Sequence, residues 1–194
     1  MQKQKEDTET FHPANRQAWR LWLEQNHRSR PSVWLVFHKT KTGKRGLSWS
    51  EAVDEALCFG WIDSKAKPID GDKYAQFFSK RKARSTWSKV NKEKVQKLMD
   101  DGNMAEAGLA IIEIAKQNGS WTILDEVEEL IIPDDLEAAF ETKPGSKDFF
   151  LGLSKSVRKA ILQWLVLAKR EETRQKRIDE VAELAGQKLK PKQF

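Results

Sequence analysis

A short run of β-branched and aromatic residues at positions 33–38 places the strongest restriction on how this chain can fold. The run is apolar on both faces that a strand would present, which is typical of a central strand. Two further extended runs, at 61–67 and 74–79, are separated by a turn at 68–72 and predict a β-hairpin. The chain therefore needs a small antiparallel sheet in its N-terminal half.

Helical patterns surround this predicted sheet. Ser48 and Glu51 form a capping box, in which the serine hydroxyl accepts a backbone N–H and the glutamate reaches back. Gly60 is expected to end that helix, Asp134 to cap a later one, and Gly186 to end the longest one. The predicted helices span residues 13–25, 48–59, 88–101, 104–118, 134–140, 148–153 and 154–185.

These patterns predict the fold class α+β, with a small antiparallel β-sheet covered by helices and an all-α C-terminal region after it. Residues 1–10 are predicted to be a disordered N-terminus, residues 11–122 a core domain and residues 133–190 a helical C-terminal region. The segment between the last two is ambiguous, because it opens as an apolar run and continues as an acidic one.

Charge is segregated along the chain, although the net charge is only +6. Residues 39–97 contain 15 Lys and Arg against 7 Asp and Glu, whereas residues 99–141 contain 1 against 12. Residues 143–194 are basic again. One interpretation is that the two basic parts share an anionic ligand. The alternative is that the acidic part packs beside the basic parts and neutralises them.

Several classes of protein are disfavoured. Cys58 is the one cysteine, which excludes an intrachain disulfide, and its apolar neighbours favour a buried inert thiol over a nucleophile. No apolar run approaches the ~18 residues of a membrane span, and residues 1–10 lack the apolar core of a signal peptide, so we predict a cytoplasmic location. His12, His27 and His38 lack zinc-ligand spacing, and no cofactor or metal is expected.

A candidate ligand site combines the start of the predicted hairpin, residues 61–64, with the segment after it, residues 81–91. Because a hairpin returns its second strand beside its first, Arg81 would lie near Asp63, and the chain then enters a helix N-terminus that presents free N–H groups to an anion. Trp87 would stack on a planar ligand. The predicted ligand-binding residues are Lys39, Trp61, Asp63, Ser64, Arg81, Lys82, Ser85, Trp87, Ser88 and Asn91.

Purely structural roles are the alternative for these residues. Ser88 would then only cap its helix, Trp87 would pack at the helix start, and Asp63 would pair with Arg81 to hold the hairpin. A secondary basic surface is predicted on the last helix, where Arg170, Arg174 and Arg177 follow a spacing of i, i+4 and i+7. A solvated face is the alternative there.

The block EAVDEALCFGWIDS at 51–64 resembles the bacteriocin-protection family, also called YdeI/OmpD-associated. The resemblance continues through the RK pair at 81–82, STWS at 85–88 and Asn91, and then through GNM at 102–104, NGSW at 118–121 and AKREETR at 168–174. It covers nearly all of residues 10–190. It implies that residues 11–122 form a YdeI/OmpD-associated core domain, and it implies protection against toxic peptides and association with an outer-membrane porin. The resemblance implies no set of catalytic residues.

Three functions remain open from the sequence. The first is a bacterial protein that binds an anionic small molecule or peptide and contributes to stress or toxin tolerance. The second is a nucleic-acid-binding protein, in which the basic loop at 39–45 contacts phosphates while Trp49, Trp61 or Trp87 stacks on bases. The third is an enzyme that uses Asp63 with Arg81 or Lys82. Whether the chain is an enzyme, and whether it has a protein partner, stay open.

Overall fold

A computed structural model describes residues 8–43 and 46–194 of the chain, and it has the predicted α+β fold. Of the predicted disordered N-terminus, residues 1–7 lie outside the described residues, as do residues 44–45 of the basic loop. In chain order the elements are β1 (Thr10–Phe11), α1 (Arg16–Asn26), β2 (Ser32–His38), a 3-10 turn (Thr40–Thr42), α2 (Trp49–Cys58), β3 (Trp61–Pro68), β4 (Lys73–Lys80), α3 (Lys89–Asp100), α4 (Glu106–Gln117), α5 (Asp125–Glu128), α6 (Asp134–Glu141), α7 (Ser146–Gly152), α8 (Lys155–Val166) and α9 (Glu171–Gly186).

The sheet has the strand order β1-β2-β4-β3. The β3–β4 hairpin is confirmed, and β2 pairs antiparallel with β4 in the centre of the sheet. The sheet is not wholly antiparallel, because α1 returns the chain so that β1 and β2 run in the same direction, with Thr10 opposite Trp34. Residue 10 is therefore an ordered strand residue, which corrects the prediction of disorder up to that position.

Side chains alternate between the two faces of the sheet. Val33 and Phe78 are paired on the face that packs against α1, where the Phe78 ring lies 5.5 Å from the ring of Trp19. The next pair, Trp34 and Phe77, points to the other face and stays only half-buried. One face of the central strand thus forms the core, and the other keeps two aromatic rings in contact with solvent.

Helices α1 and α2 are joined by an ion-pair network in which Glu55 is buried while Arg16 and Arg20 are partly exposed. Glu55 of α2 has a side chain that is 4% exposed, and it accepts from Arg16 Nε at 2.6 Å and from Arg20 Nη1 at 2.8 Å. Arg20 also donates to the carbonyl of Asn103 at 3.1 Å. The Glu55 carboxylate raises the pKa of Arg16 by a hydrogen bond. For Arg20, burial lowers the pKa, but the hydrogen bond and the charge of Glu55 lead to a net increase. The capping box of Ser48 and Glu51 begins α2 as predicted.

Helix α4 packs directly on the C-terminal end of α2. Cys58 accepts a backbone hydrogen bond from Ala105 at 3.1 Å, and a Cβ at Gly108 would lie 2.2 Å from the Cys58 carbonyl oxygen. Gly60, which ends α2 as predicted, has a φ of 72°, and a Cβ there would meet the carbonyl oxygen of Ala107 at 3.0 Å. Two glycines therefore allow this close approach of backbone to backbone.

The described residues divide into two compact units. The first contains those up to Ser85 together with Val90–Trp121, and the second contains Thr86–Lys89 together with Thr122–Phe194. The core of the second unit is formed by α5 to α9, and its buried residues are Leu124, Val127, Leu136, Phe140, Phe150, Ile161, Leu162, Leu165, Ile178, Val181, Ala182 and Ala185.

Three predictions about the C-terminal helices were wrong in detail. The long helix over 154–185 is two helices, α8 and α9, because the chain folds back at 167–170 so that the apolar faces of both are buried in one core. Asp134 is the first residue of α6 and not its cap, which is Pro133. Gly186 is the last residue of α9, and the left-handed conformation is adopted by Lys188.

Ion pairs neutralise part of the acidic segment within the second unit. Glu128 pairs with Lys159 at 2.5 Å, Glu129 with Lys89 at 3.2 Å, and Glu137 with Lys147. Within this unit, acidic side chains of residues 99–141 thus neutralise lysines that precede and follow them in the chain. This favours the interpretation in which the acidic part packs beside the basic parts and neutralises them.

Candidate functional site

A cleft of about 310 Å³ lies in the first unit where β3 begins and β4 ends. We call it the cationic cleft. Its walls come from the end of α1, the end of α2, the two strands and one face of α4. It is lined by His27, Arg28, Phe59, Gly60, Trp61, Lys80, Arg81, Ala107 and Ile111.

Arginine and lysine dominate the polar lining of this cleft. Arg28 is exposed and lies 3.7 Å from the carboxylate of Glu106, a distance at which a surface ion pair is weak. Lys80 donates to the carbonyl of Arg28 at 2.7 Å. His27 contacts the carbonyl of Leu23 through Nδ1 and packs on Phe59. No carboxylate lines the cleft among the described residues, so its potential favours an anion.

Arg81 is the buried cation of the cleft, with 6% of its surface exposed. Its backbone N–H donates to the carbonyl of Gly60 at 2.9 Å, which fixes the segment after β4 against the end of α2. Burial lowers the pKa of Arg81 to about 10, and the charge of Asp63 opposes that shift.

Trp61 supplies a second unusual group. It is 1% exposed, and its ring makes an edge contact with Trp22 at 5.8 Å. Within residues 8–43 and 46–194, nothing accepts a hydrogen bond from the buried indole N–H of Trp61. Buried indole donors ordinarily have a partner, so this donor has an unmet capacity to form a hydrogen bond.

Asp63 has a defined structural environment. Its Oδ2 accepts from Trp49 Nε1 and from Gln76 Nε2, both at 2.9 Å. The Gln76 amide also donates to the carbonyl of Ser64, at the irregularity in β3 that shifts the register between Asp63 and Ala66. Asp63 therefore holds the bulged strand in place, and its charge acts on Arg81 from there.

The remaining predicted residues are distributed more widely. Lys39 lies at the opposite end of β2, where its Nζ donates to the carbonyl of Asp70 at 2.8 Å. The seven residues of β2 span about 20 Å, so the structure does not bring Lys39 to the cleft. Ser64 and Lys82 are exposed, Ser85 forms a turn by donating to the Lys82 carbonyl, and Asn91 lies on α3.

Trp87 and Ser88 belong to the second unit. Trp87 is 1% exposed, so its ring is not available for the stacking that the sequence predicted. The same burial excludes Trp61 as a platform for exposed bases, whereas Trp49 remains half-exposed while it donates to Asp63.

Two of the three arginines of the predicted secondary basic surface are engaged inside the second unit. Arg174 binds both oxygens of Asp135, at 2.6 and 2.9 Å, and this contact raises the pKa of Arg174. Arg177 donates to the carbonyl of Trp164 and lies 4.7 Å over its ring. Arg170 is the exposed residue that precedes α9.

Sequence reasoning missed most of the cleft's walls. Arg28 lies three residues beyond the predicted helix at 13–25, and Lys80 directly follows the predicted strand at 74–79. The proximity of the two residues follows only from the pairing of β2 with β4. Ala107 and Ile111 are contributed by α4, and no local pattern indicates that this helix packs on the end of α2. The one signal of this packing in the sequence is the presence of glycine at positions 60 and 108, because the close approach of the two backbones leaves no room for a Cβ there.

Cys58 is expected to be unreactive in the folded protein. Burial, and then the charge of Glu55, raise the pKa of this free thiol to about 11, so almost no thiolate exists at neutral pH. We expect an aromatic disulfide reagent to react with the native protein more than about 100-fold more slowly than with the protein unfolded in urea. Comparable rates in the two states would show that the thiol is accessible.

The described part of the chain contains no group of three or more His, Cys, Asp or Glu side chains placed to hold a metal ion. None of its helices combines the length and the apolar character that crossing a bilayer requires.

Two families match the chain. Residues 11–111, more than half of the chain, match the family described as Domain of unknown function (DUF8412). Residues 129–188 match the family described as Bacteriocin-protection, YdeI or OmpD-Associated. The predicted resemblance is thus confirmed for the C-terminal part, while the block at 51–64 falls within the other match. Neither curated proteins nor solved structures give a significant match to the chain.

Proposed function

Because the chain belongs to the family described as Domain of unknown function (DUF8412), whose description names no activity, we propose a function from the cationic cleft itself: the protein binds a small anionic ligand there. The observation that carries this proposal is the joint presence of two buried donors, Arg81 and Trp61, in the lining of one cleft. Pockets with a few convergent polar groups on an apolar wall are typical ligand sites.

The ligand's chemistry follows from the donors. The Arg81 guanidinium offers paired N–H groups that suit a carboxylate or a phosphate. The Trp61 indole N–H would donate to an oxygen of the same ligand, and Phe59 and Ile111 offer apolar contact to its remaining part. A volume of about 310 Å³ suits a small molecule or the end of a peptide chain.

The surrounding charges favour anion capture and release. Lys80 and Arg28 lie at the exposed side of the cleft, where their charges would attract an anion before it reaches Arg81. A bound anion would also restore the Arg81 pKa toward its ordinary value. Ligand binding would then add a favourable charge interaction to those that this cation already makes.

A thermal-shift titration tests the proposal. Pyrophosphate and citrate, as a phosphate and a carboxylate probe, should raise the melting temperature of the full chain in a saturable manner, because a ligand that binds only the folded state adds RT ln(1 + [L]/Kd) to its stability. At a ligand concentration of 100 Kd the gain is about 2.7 kcal/mol. Trp61 lies in the cleft, so tryptophan fluorescence should change with the same midpoint.

Matched variants separate specific binding from general charge effects. The Arg81→Gln variant should lose the ligand-induced shift, measured against its own melting temperature, whereas Arg84→Gln, an exposed arginine three residues away, should keep it. The exposed Lys80→Ala provides a second variant, with an expected affinity loss of about tenfold. Equal shifts in Arg81→Gln and the unmodified protein would contradict the proposal.

We place this binding in tolerance to stress or to a toxic peptide, which is supported by the description of the family matched by residues 129–188. A bacterial strain that lacks the protein should be more sensitive to bacteriocin. The unmodified gene and the Arg84→Gln variant should restore tolerance, and Arg81→Gln should not. Full restoration by Arg81→Gln would show that tolerance does not depend on the cationic cleft.

A further inference from the structure

The sheet face opposite the core carries an aromatic pair surrounded by lysines. Trp34 on β2 and Phe77 on β4 are directly opposite each other in the register, with ring centroids 5.0 Å apart in an edge-to-face arrangement. Lys67 places its Nζ 4.1 Å from the centroid of the Trp34 ring, and Lys65 places its own 5.6 Å from that ring and 5.3 Å from the Phe77 ring. We call these four residues the aromatic–lysine face.

Both lysines of this face are exposed, and neither forms an ion pair with a carboxylate of the described residues. Within the described residues, no carboxylate lies within ion-pair distance of Lys65 or Lys67, in contrast to Lys94, which pairs with Asp54 in the same unit. The register irregularity between Asp63 and Ala66 lies next to Lys65, so the bulge that Asp63 and Gln76 stabilise also positions this lysine. The face thus has a fixed backbone and a positive potential.

From this arrangement we infer that the aromatic–lysine face binds single-stranded nucleic acid. A nucleotide joins a flat π surface to an anionic phosphate through a short sugar. A base would stack on Trp34 or Phe77, and the ammonium groups now lying over the rings would turn to the neighbouring phosphates. The positive charge of the two lysines and the half-buried rings beside them favour this ligand over an apolar one. The face shares no residue with the cationic cleft.

This surface differs from the one that the sequence indicated for nucleic acid. Trp61 and Trp87 are buried, so neither ring can stack on a base. Trp34 was not among the residues named for nucleic acid, and it is half-buried rather than buried. The inference therefore rests on Trp34, Phe77 and the two lysines of β3.

Fluorescence anisotropy with a labelled oligo(dT) of about 12 nucleotides tests the inference on the full chain at low and physiological salt. We expect saturable binding that weakens with salt, together with quenching of tryptophan fluorescence. Trp34→Leu should weaken binding about tenfold. Trp34→Phe should keep the affinity within about threefold, because it retains a stacking ring, but it should lose much of the quenching.

Two matched double variants test the part played by the lysines. The Lys65→Ala/Lys67→Ala variant should reduce the slope of log K against log salt by about 1.4, the value for two phosphate contacts on a single strand. The control is Lys92→Ala/Lys116→Ala, which removes two lysines that lie over another tryptophan, Trp121, and should leave the slope unchanged. Both pairs remove the same charge.

The inference is overturned if oligo(dT) does not bind at low salt, or if the two double variants have the same slope. It is also overturned if acidic phospholipid vesicles bind more tightly than oligo(dT) with the same sensitivity to Trp34→Leu, which would assign the face to a membrane surface. Because Lys65 and Lys67 are exposed, their variant keeps the test valid even if Trp34→Leu fails to fold.

Discussion

Replacing Glu55 by glutamine is expected to lower the free energy of unfolding by about 1.5–3 kcal/mol, the range for hydrogen bonds to charged groups, because Glu55 is buried while its two arginine partners are partly exposed. The Glu55 carboxylate is the shared counter-ion of Arg16 and Arg20. A neutral amide keeps the volume, but it turns an NH₂ group toward one of the two guanidinium groups. Urea unfolding monitored by tryptophan fluorescence is the measurement, since Trp19 of α1 donates to the Ala52 carbonyl of α2 at 3.0 Å.

Glu24→Gln is the matched control, because Glu24 also pairs with Arg20, at 3.3 Å, but its side chain is 45% exposed. Its loss should be no more than about 1 kcal/mol, as for other surface ion pairs. Replacing Arg16, Arg20 and Glu55 together by apolar residues of similar size should recover most of the stability lost in Glu55→Gln. Equal midpoints for Glu24→Gln and Glu55→Gln would show that the Glu55 network contributes no more than a surface pair.

Gly108→Ala is the second substitution with a large expected effect, and it should lower the free energy of unfolding by about 2–4 kcal/mol. Alanine favours a helix over glycine by about 1 kcal/mol, so propensity alone predicts a gain. Steric repulsion makes the net effect on the free energy of unfolding negative instead. The new Cβ would lie 2.2 Å from the Cys58 carbonyl oxygen and 2.8 Å from the carbonyl carbon, and backbone atoms cannot move aside as a flexible side chain does. Chemical denaturation measures the net effect.

Gly152→Ala provides the control for that substitution. Gly152 is the last residue of α7, and a Cβ there meets nothing within 4 Å. Its effect should be neutral or stabilising by up to about 1 kcal/mol. A stabilising Gly108→Ala would mean that α4 does not approach Cys58 this closely in solution.

Elements defined by local chemistry were predicted well from the sequence. The capping box at Ser48, the left-handed Gly60 and the β3–β4 hairpin all depend on residues close to one another in the chain, and each is present. The break between α8 and α9 was missed because no glycine or proline marks it. Burial of two apolar faces in one core, which involves Ile161 and Ile178, outweighs helix continuity there.

The candidate site was harder to predict because its geometry depends on long-range packing. The hairpin pattern, which is local, predicted that Arg81 returns to the start of β3 near Asp63, and Trp61 and Arg81 do line one cleft. Lys39 was grouped with them by charge alone, and the direction of β2 places it at the far end of the sheet. Burial of Trp87 likewise depends on contacts that no local pattern encodes.

The division of the chain into units also limits how its gene can be rearranged. Thr86–Lys89 belongs to the second unit, although the residues on both sides of it belong to the first. A fragment ending at Trp121 would carry Trp87 away from the rest of its own unit, and a fragment beginning at Thr122 would lack it. The C-terminal stretch can therefore not be exchanged by itself as a complete unit, because recombination between the two matched stretches would remove Thr86–Lys89 from the second unit.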